Sequence, residues 1–281
     1  MATDRLTKPH PDTIVMRPTH GLAALNLRDL WVYRELIVFL SWRDVLVRYK
    51  QTVLGFAWAV IQPIIQMIVF TLIFSKAAGL SSEGVPYPIF NYTALLPWGL
   101  FSKAMNDAGR SLVNNRNMIT KIYFPRLIMP LSGILSPLVD FAVSFSILLL
   151  LMVYYGFAPT WNVVFLPLFI LLALATSLSV GLWLSALNVK YRDFQYTVPF
   201  IIQAWLYASP VVYSANILPE SVHSLYGLNP MAGVIQGFRW ALLGTEVPDG
   251  MIFASVIVVA AILISGIFYF RRMEQYYADI V

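Results

Sequence analysis

The chain has 281 residues, 59% of them hydrophobic and only 12% charged, with a mean hydropathy of +0.71. Soluble domains carry charge on about a quarter of their residues, so this balance, with several long uncharged runs, describes an all-α polytopic membrane protein. No cysteine is present, which excludes disulfides, thiolate metal sites and cysteine nucleophiles.

Residues 1–25 are polar and carry Pro9, Pro11 and Pro18, without the apolar core of a signal peptide. They are expected to form a flexible cytoplasmic tail. Residues 26–52 hold eight charges (Arg28, Asp29, Arg34, Glu35, Arg43, Asp44, Arg48 and Lys50), too many for a span. On a helical wheel Trp42, Val45, Leu46 and Tyr49 share one side, and Arg43, Asp44, Arg48 and Lys50 the other. That pattern predicts an N-terminal amphipathic interfacial helix on the cytoplasmic surface. Beyond Gln51 no charge returns until Lys76, so the surface helix feeds directly into a span.

Six transmembrane helices are predicted within a membrane domain of residues 53–272, at about 53–75, 87–103, 127–155, 163–187, 197–214 and 251–270. Pro63 is expected to kink the first. Pro97 and Asn91 dilute the second, and the third contains Asp140. With the N-terminus inside, 17 of the 19 Lys and Arg residues fall on the inner side, leaving Lys76 and Arg239 outside. This asymmetry supports six spans with both termini cytoplasmic, residues 273–281 forming a second tail. The basic residues thus flank apolar runs instead of gathering into a nucleic-acid patch. Two connections stand out. The inner one, 106–126, is polar, basic and closed by an aromatic-proline corner. The outer one, 215–250, contains a semi-apolar run broken by Asn229, Pro230 and Gly233, which predicts re-entrant helices between spans five and six.

The motifs that would carry chemistry are missing. No G-x-x-x-x-G-K-[ST] occurs, so the chain has no P-loop for ATP. His10, His20 and His223 lie far apart, and no metal site is expected. No cluster of His or carboxylate falls at one membrane face, as a membrane-embedded glycan-processing enzyme would require. A stand-alone secondary transporter or channel needs intramembrane charges in several spans, and Asp140 alone qualifies clearly.

Taken in order, RDVLVRYKQTVLGFAWAVIQP (43–63), MITKIYFPR (118–126), LSALNVKYRDF (184–194), ASPVVYS (208–214) and LNPMAGVIQGFR (228–239) resemble the permease subunit of bacterial polysaccharide ABC exporters. That family moves O-antigen, capsule and teichoic-acid chains on lipid carriers. The resemblance covers nearly all of residues 27–270. It implies a homodimer in the bacterial inner membrane, joined to two copies of a separate nucleotide-binding ATPase subunit. ATP and magnesium would sit on that partner, with no cofactor on this chain. Lipid-linked polysaccharide, most simply O-antigen, is the implied cargo, with teichoic acid or capsule as the alternative.

Each candidate residue has a functional reading and a plainer one. Arg43, Arg48, Tyr49 and Lys50 suit a substrate entrance that steers an anionic lipid head group; membrane anchoring is the plainer account. Phe56, Trp58 and Asp140 suit channel lining, against an interfacial aromatic belt and a packed hydrogen bond. By the resemblance, Ile119, Lys121, Tyr123, Phe124, Pro125 and Arg126 couple to the ATPase through a rigid corner, against a plain surface loop. Lys190, Tyr191, Arg192 and Asp193 read as topology signals. Asn229, Pro230 and Gly233 are expected to shape outer gate helices.

Overall fold

A computed structural model of the chain describes residues 27–50, 55–191, 193–217, 219, 225–247 and 250–274. The expectations for the N-terminal tail, for residues 275–281 and for the join at 51–54 lie outside the described residues, while residues 273 and 274, expected in the second tail, continue the last helix with Met273 buried. Every regular element among the described residues is helical. The helices are α1 (Leu27–Val32), α2 (Arg34–Lys50), α3 (Gly55–Phe70, widened into a π-helical stretch over Thr71–Ala77), α4 (Tyr87–Asn114) and α5 (Arg116–Ile119). There follow α6 (Ile128–Leu135), α7 (Pro137–Tyr154), α8 (Leu166–Lys190, entered through a 3₁₀ turn at Trp161–Phe165), α9 (Phe194–Ala208), α10 (Pro230–Leu243) and α11 (Gly250–Glu274).

By length and composition, four stretches can cross a membrane: Ala57–Ala77, Ile128–Tyr154, Trp161–Lys190 and Gly250–Glu274. They coincide with the first, third, fourth and sixth predicted spans. Pro63 sits inside α3 without ending it. Within the third span α6 and α7 meet at Ser136, which keeps helical geometry at φ −58, ψ −36, so the stretch Ile128–Tyr154 runs on across Pro137.

The second predicted span is the centre of the protein. At 28 residues, α4 is about 42 Å long, and it packs most extensively on α8 and also on α6, α7 and α10. It is the least lipid-like span because its surroundings are protein. Asn91, Thr93 and Ser111 are buried along it with Tyr92, Phe101 and Met105. Small residues let the backbones approach: a Cβ on Gly181 of α8 would lie 2.7 Å from the Ala108 Cβ, and one on Gly133 of α6 would lie 2.9 Å from the Ala108 backbone nitrogen. Close approach through small residues is a common way for helices to associate in lipid, where no hydrophobic drive separates helix from solvent. The same seam corrects the boundary of the polar inner connection. Residues 106–114 are helical, because Ala108 and Leu112 continue the buried face of α4.

The fifth predicted span also changes. Helix α9 stops at Ala208, so its 15 residues cover about 22 Å, short of a bilayer's hydrocarbon core. Pro210 explains the stop: the residue before a proline is pushed out of helical geometry, and Ser209 is extended at φ −106, ψ 151. The outer connection contains one well-formed helix among its described residues, α10. Its N-terminus is capped by Asn229 with Pro230 in the first turn, and Gly244 closes it in left-handed geometry at φ 68. Thirteen of its 14 residues are buried.

Candidate functional site

Three groups of residues concentrate the polar chemistry, and the first is an ion cluster where α2 docks. Arg48 of α2 forks between two helices. Its Nη1 donates to Asp140 Oδ2 of α7 at 2.5 Å and its Nη2 to Asp107 Oδ2 of α4 at 2.7 Å. Ser136 Oγ accepts a longer bond from Nη2 at 3.4 Å, and Lys103 Nζ of α4 lies 3.5 Å from Asp140 Oδ2. The Asp140 side chain is only 5% exposed, whereas Arg48 is 32% exposed. Desolvating a carboxylate this deeply is tolerated because two cations face it. Close by, Arg43 donates to Asp44 Oδ1 from Nε and Nη2 at 3.0 and 2.7 Å, and from Nη2 to Asn115 Oδ1 at the end of α4 at 2.8 Å.

The docked side of α2 cuts across the two sides of the wheel: Val45, grouped there with Trp42 and Leu46, is buried, as those two are not. The side turned inward carries Ile37, Leu40, Ser41, Asp44, Val45 and Arg48, while Trp42, Leu46 and Val47 are exposed. Ser41 Oγ donates to the Ser132 carbonyl of α6, pinning the same face at 3.2 Å. A helix docked on a membrane-embedded bundle can present apolar residues outward, because the surrounding medium is apolar, and keep its charges for protein partners. Tyr49 is half-buried and Lys50 exposed.

The second group is a cleft of about 220 Å³ between α3, α4, α7 and α9. Lys103 and Asp140 are part of its lining, so the cleft adjoins the ion cluster through them. Gln62 and Gln66 of α3 and Gln203 of α9 also face it, with Tyr92 and Phe141 among the apolar lining. Of the three residues expected to line a channel, Asp140 borders this cleft. Trp58 is exposed and is not part of the lining. The side chain of Phe56 lies outside the described residues.

The third group is at the opposite end of α4. Arg239 of α10 is fully buried and has no carboxylate bonded to it among the described residues. Its Nη1 donates to the Tyr213 carbonyl at 3.1 Å and its Nη2 to the Val211 carbonyl at 2.9 Å, while its guanidinium lies 3.6 Å from the centre of the Phe90 ring. Tyr87 Oη donates to the Val212 carbonyl at 2.6 Å, and Glu83 accepts from the Ser214 hydroxyl. Asn229 completes the arrangement. Its Oδ1 accepts from Trp205 Nε1 and from the Met231 backbone, and its Nδ2 donates to the Ala208 carbonyl and Ser209 Oγ. The irregular backbone after α9 thus has its carbonyls capped by side chains, the condition for non-helical backbone at membrane depth. Gly233 fits because a Cβ there would meet Ser255 Oγ of α11 at 2.5 Å.

The corner at 119–126 is half anchor and half surface. Phe124 is buried with Leu127 and Ile128, and Arg126 Nη1 donates to the Glu274 carbonyl at the end of α11 at 2.6 Å. Ile122 and Tyr123 stand out at 60% and 69% exposure, and Lys121 is exposed beside them. Residues 35–243, from α2 through α10, match the family model for the ABC-2 type transporter. This chain belongs to the ABC-2 type transporter family.

The ABC-2 match takes in all three polar groups and the corner. The chain is also 34% identical over 254 residues to the O-antigen export system permease protein RfbA of Myxococcus xanthus, covering 88% of this chain and 96% of that protein. It is 25% identical over 250 residues to an RfbA of Klebsiella pneumoniae, with 88% and 95% covered. To the polysialic acid transport protein KpsM of Escherichia coli it is 21% identical over 214 residues, with 74% and 81% covered. As an ABC-2 chain it is a transport component of a membrane protein family.

Sequence reasoning missed Lys103, Asp107 and Arg239 as interaction partners. Lys103 and Arg239 entered the charge map only as inner and outer topology signals, yet Lys103, about a third exposed, approaches Asp140 and Arg239 is fully buried. The spacing of Lys103 and Asp107 was an available signal, since residues four apart share a helix face. Arg239 also stands alone in an apolar run, and intramembrane charges face protein or water.

Proposed function

We propose that this ABC-2 chain is the membrane-spanning permease of an ATP-driven exporter that moves lipid-linked polysaccharide, of the O-antigen kind, out of the cytoplasm. The likeness to the RfbA permeases, extending over 96% of one of them, carries this reading. The work of transport falls to two copies of a separate ATPase subunit, which also hold ATP and magnesium. Two copies of this chain form the pathway in the inner membrane, each with six spans and both termini cytoplasmic. In that arrangement α4 is span two and α9, with the segment after it, is span five. Helix α10 is re-entrant and serves with Asn229, Pro230 and Gly233 as the outer gate.

The cytoplasmic end is then the one where α2 docks. Arg43 and Arg48 are already engaged with Asp44, Asn115, Asp107 and Asp140. A head group entering here meets exposed Lys50 first, with Tyr49 beside it, and reaches the arginines by competing with their carboxylates. The 119–126 corner couples to the ATPase. Its exposed Ile122 and Tyr123 are held rigidly by Phe124 and Arg126, and a rigid element transmits displacement better than a loose one.

Changing Ile122 and Tyr123 together to Ala tests this coupling, because neither side chain is buried and the fold should be unaffected. Co-purification of the ATPase is expected to fall at least five-fold, or hydrolysis to continue without export. Wild-type co-purification with wild-type export would remove the coupling role.

A further inference from the structure

We propose that the cleft between α3, α4, α7 and α9 carries an electrically neutral, hydroxyl-rich glycan chain, and that Gln62, Gln66 and Gln203 are the groups over which it moves. The inference rests on the exporter reading above and adds a substrate class to it. Gln62 and Gln66 lie one helical turn apart inside the apolar stretch Ala57–Ala77. Both face the cleft, and neither amide is hydrogen-bonded to another described residue. An amide left unpaired in hydrocarbon is costly, so a pair of them on one face marks a surface meant for water or a polar ligand. Gln203 adds a third amide from α9, its Nε2 donating to Tyr207 Oη at 3.3 Å.

An amide donates and accepts equally well and carries no charge. Sugar hydroxyls have the same double capacity, so a ladder of glutamines can exchange hydrogen bonds with successive sugars without holding any of them tightly. Charge makes the selection. The cleft's charged lining residues are Lys103 and Asp140, 3.5 Å apart and of opposite sign. Arg48, which pairs with Asp140 from outside the lining, is balanced by Asp107. No excess positive charge is left to compensate a polymer bearing a carboxylate on each repeat, and desolvating such a polymer beside Asp140 would be opposed by like charge.

The experiment expresses the full chain with its ATPase in two cell backgrounds lacking their own exporter. One makes a lipid-linked polymer of neutral hexoses, and the other a polymer with a carboxylate on every repeat. Surface polymer is measured per unit of membrane-inserted chain. The neutral polymer is expected at the surface, with the acidic one at least ten-fold lower. Gln62→Leu with Gln66→Leu, which makes α3 more apolar and so keeps it in the membrane, should lower neutral export about ten-fold while the ATPase still co-purifies. Gln203→Leu, on a separate helix, should give a smaller loss in the same direction. Equal export of both polymers, or wild-type export by the glutamine variants, would overturn the inference and leave the exporter reading intact. Export of neither polymer by the wild-type complex would overturn both.

Discussion

Arg48→Ala is expected to destabilise the protein by about 2 kcal/mol. Removing one partner of a fully buried ion pair costs about 3–5 kcal/mol, and Arg48, at 32% exposure, is already partly paired with solvent and takes a discount for screening. The damage falls on Asp140, which keeps only the 3.5 Å contact with Lys103, and on Asp107, which loses its partner. The check is the unfolding midpoint of the purified protein in detergent, measured around a double-mutant cycle with Asp140→Asn. Because most of the loss comes from a stranded carboxylate, Asp140→Asn should recover part of it in the Arg48→Ala background. Simple addition of the two single effects would show that the pair is not coupled. Arg48→Lys should not rescue, since a point ammonium cannot reach carboxylates on two helices as the guanidinium fork does.

Arg239→Met is expected to be at least as damaging, at about 3 kcal/mol, because it strands two buried carbonyls and removes two charge-assisted hydrogen bonds. Those carbonyls belong to Val211 and Tyr213, in the stretch that cannot cap itself once Pro210 has ended α9. Arg239→Lys should restore part of the stability. It keeps the charge over the Phe90 ring but cannot bond both carbonyls with the geometry of a guanidinium. Proteolysis of intact membranes gives the local reading: cleavage after α9 should accelerate in Arg239→Met and not in Arg48→Ala. Equal cleavage in both variants would mean that Arg239 does not fix this segment in particular.

Much of the helical framework was legible because apolar periodicity and charge-free length report directly on lipid contact. That signal found the spans containing α3, α7, α8 and α11. It was weakest for α4 for a physical reason. A helix surrounded by other helices need not be apolar on every face, so Asn91, Thr93 and Ser111 lower its hydropathy while the fold buries them. Asp140 was readable as a charge requiring a partner, but the identity of that partner depended on how α2 docks. The wheel did not give the docked side of α2, because hydrophobicity cannot say whether an apolar residue meets protein or lipid: Val45 is buried while Trp42 and Leu46 of the same wheel side are exposed. Arg239 was counted as an outer cation, since sequence position alone does not reveal that α10 folds back among α4, α8 and α11. The corner at 119–126 was visible as a motif, and the structure adds the division between buried Phe124 and exposed Tyr123.

The central claim is that this chain carries lipid-linked polysaccharide across the membrane, powered by a partner ATPase. Removing the chain from its native host and fractionating the lipid-linked glycans tests that claim most directly. The account predicts loss of a surface polysaccharide together with accumulation of the same polymer, still on its lipid carrier, on the cytoplasmic side of the inner membrane. Undiminished surface polysaccharide with no lipid-linked polymer accumulating inside would contradict it.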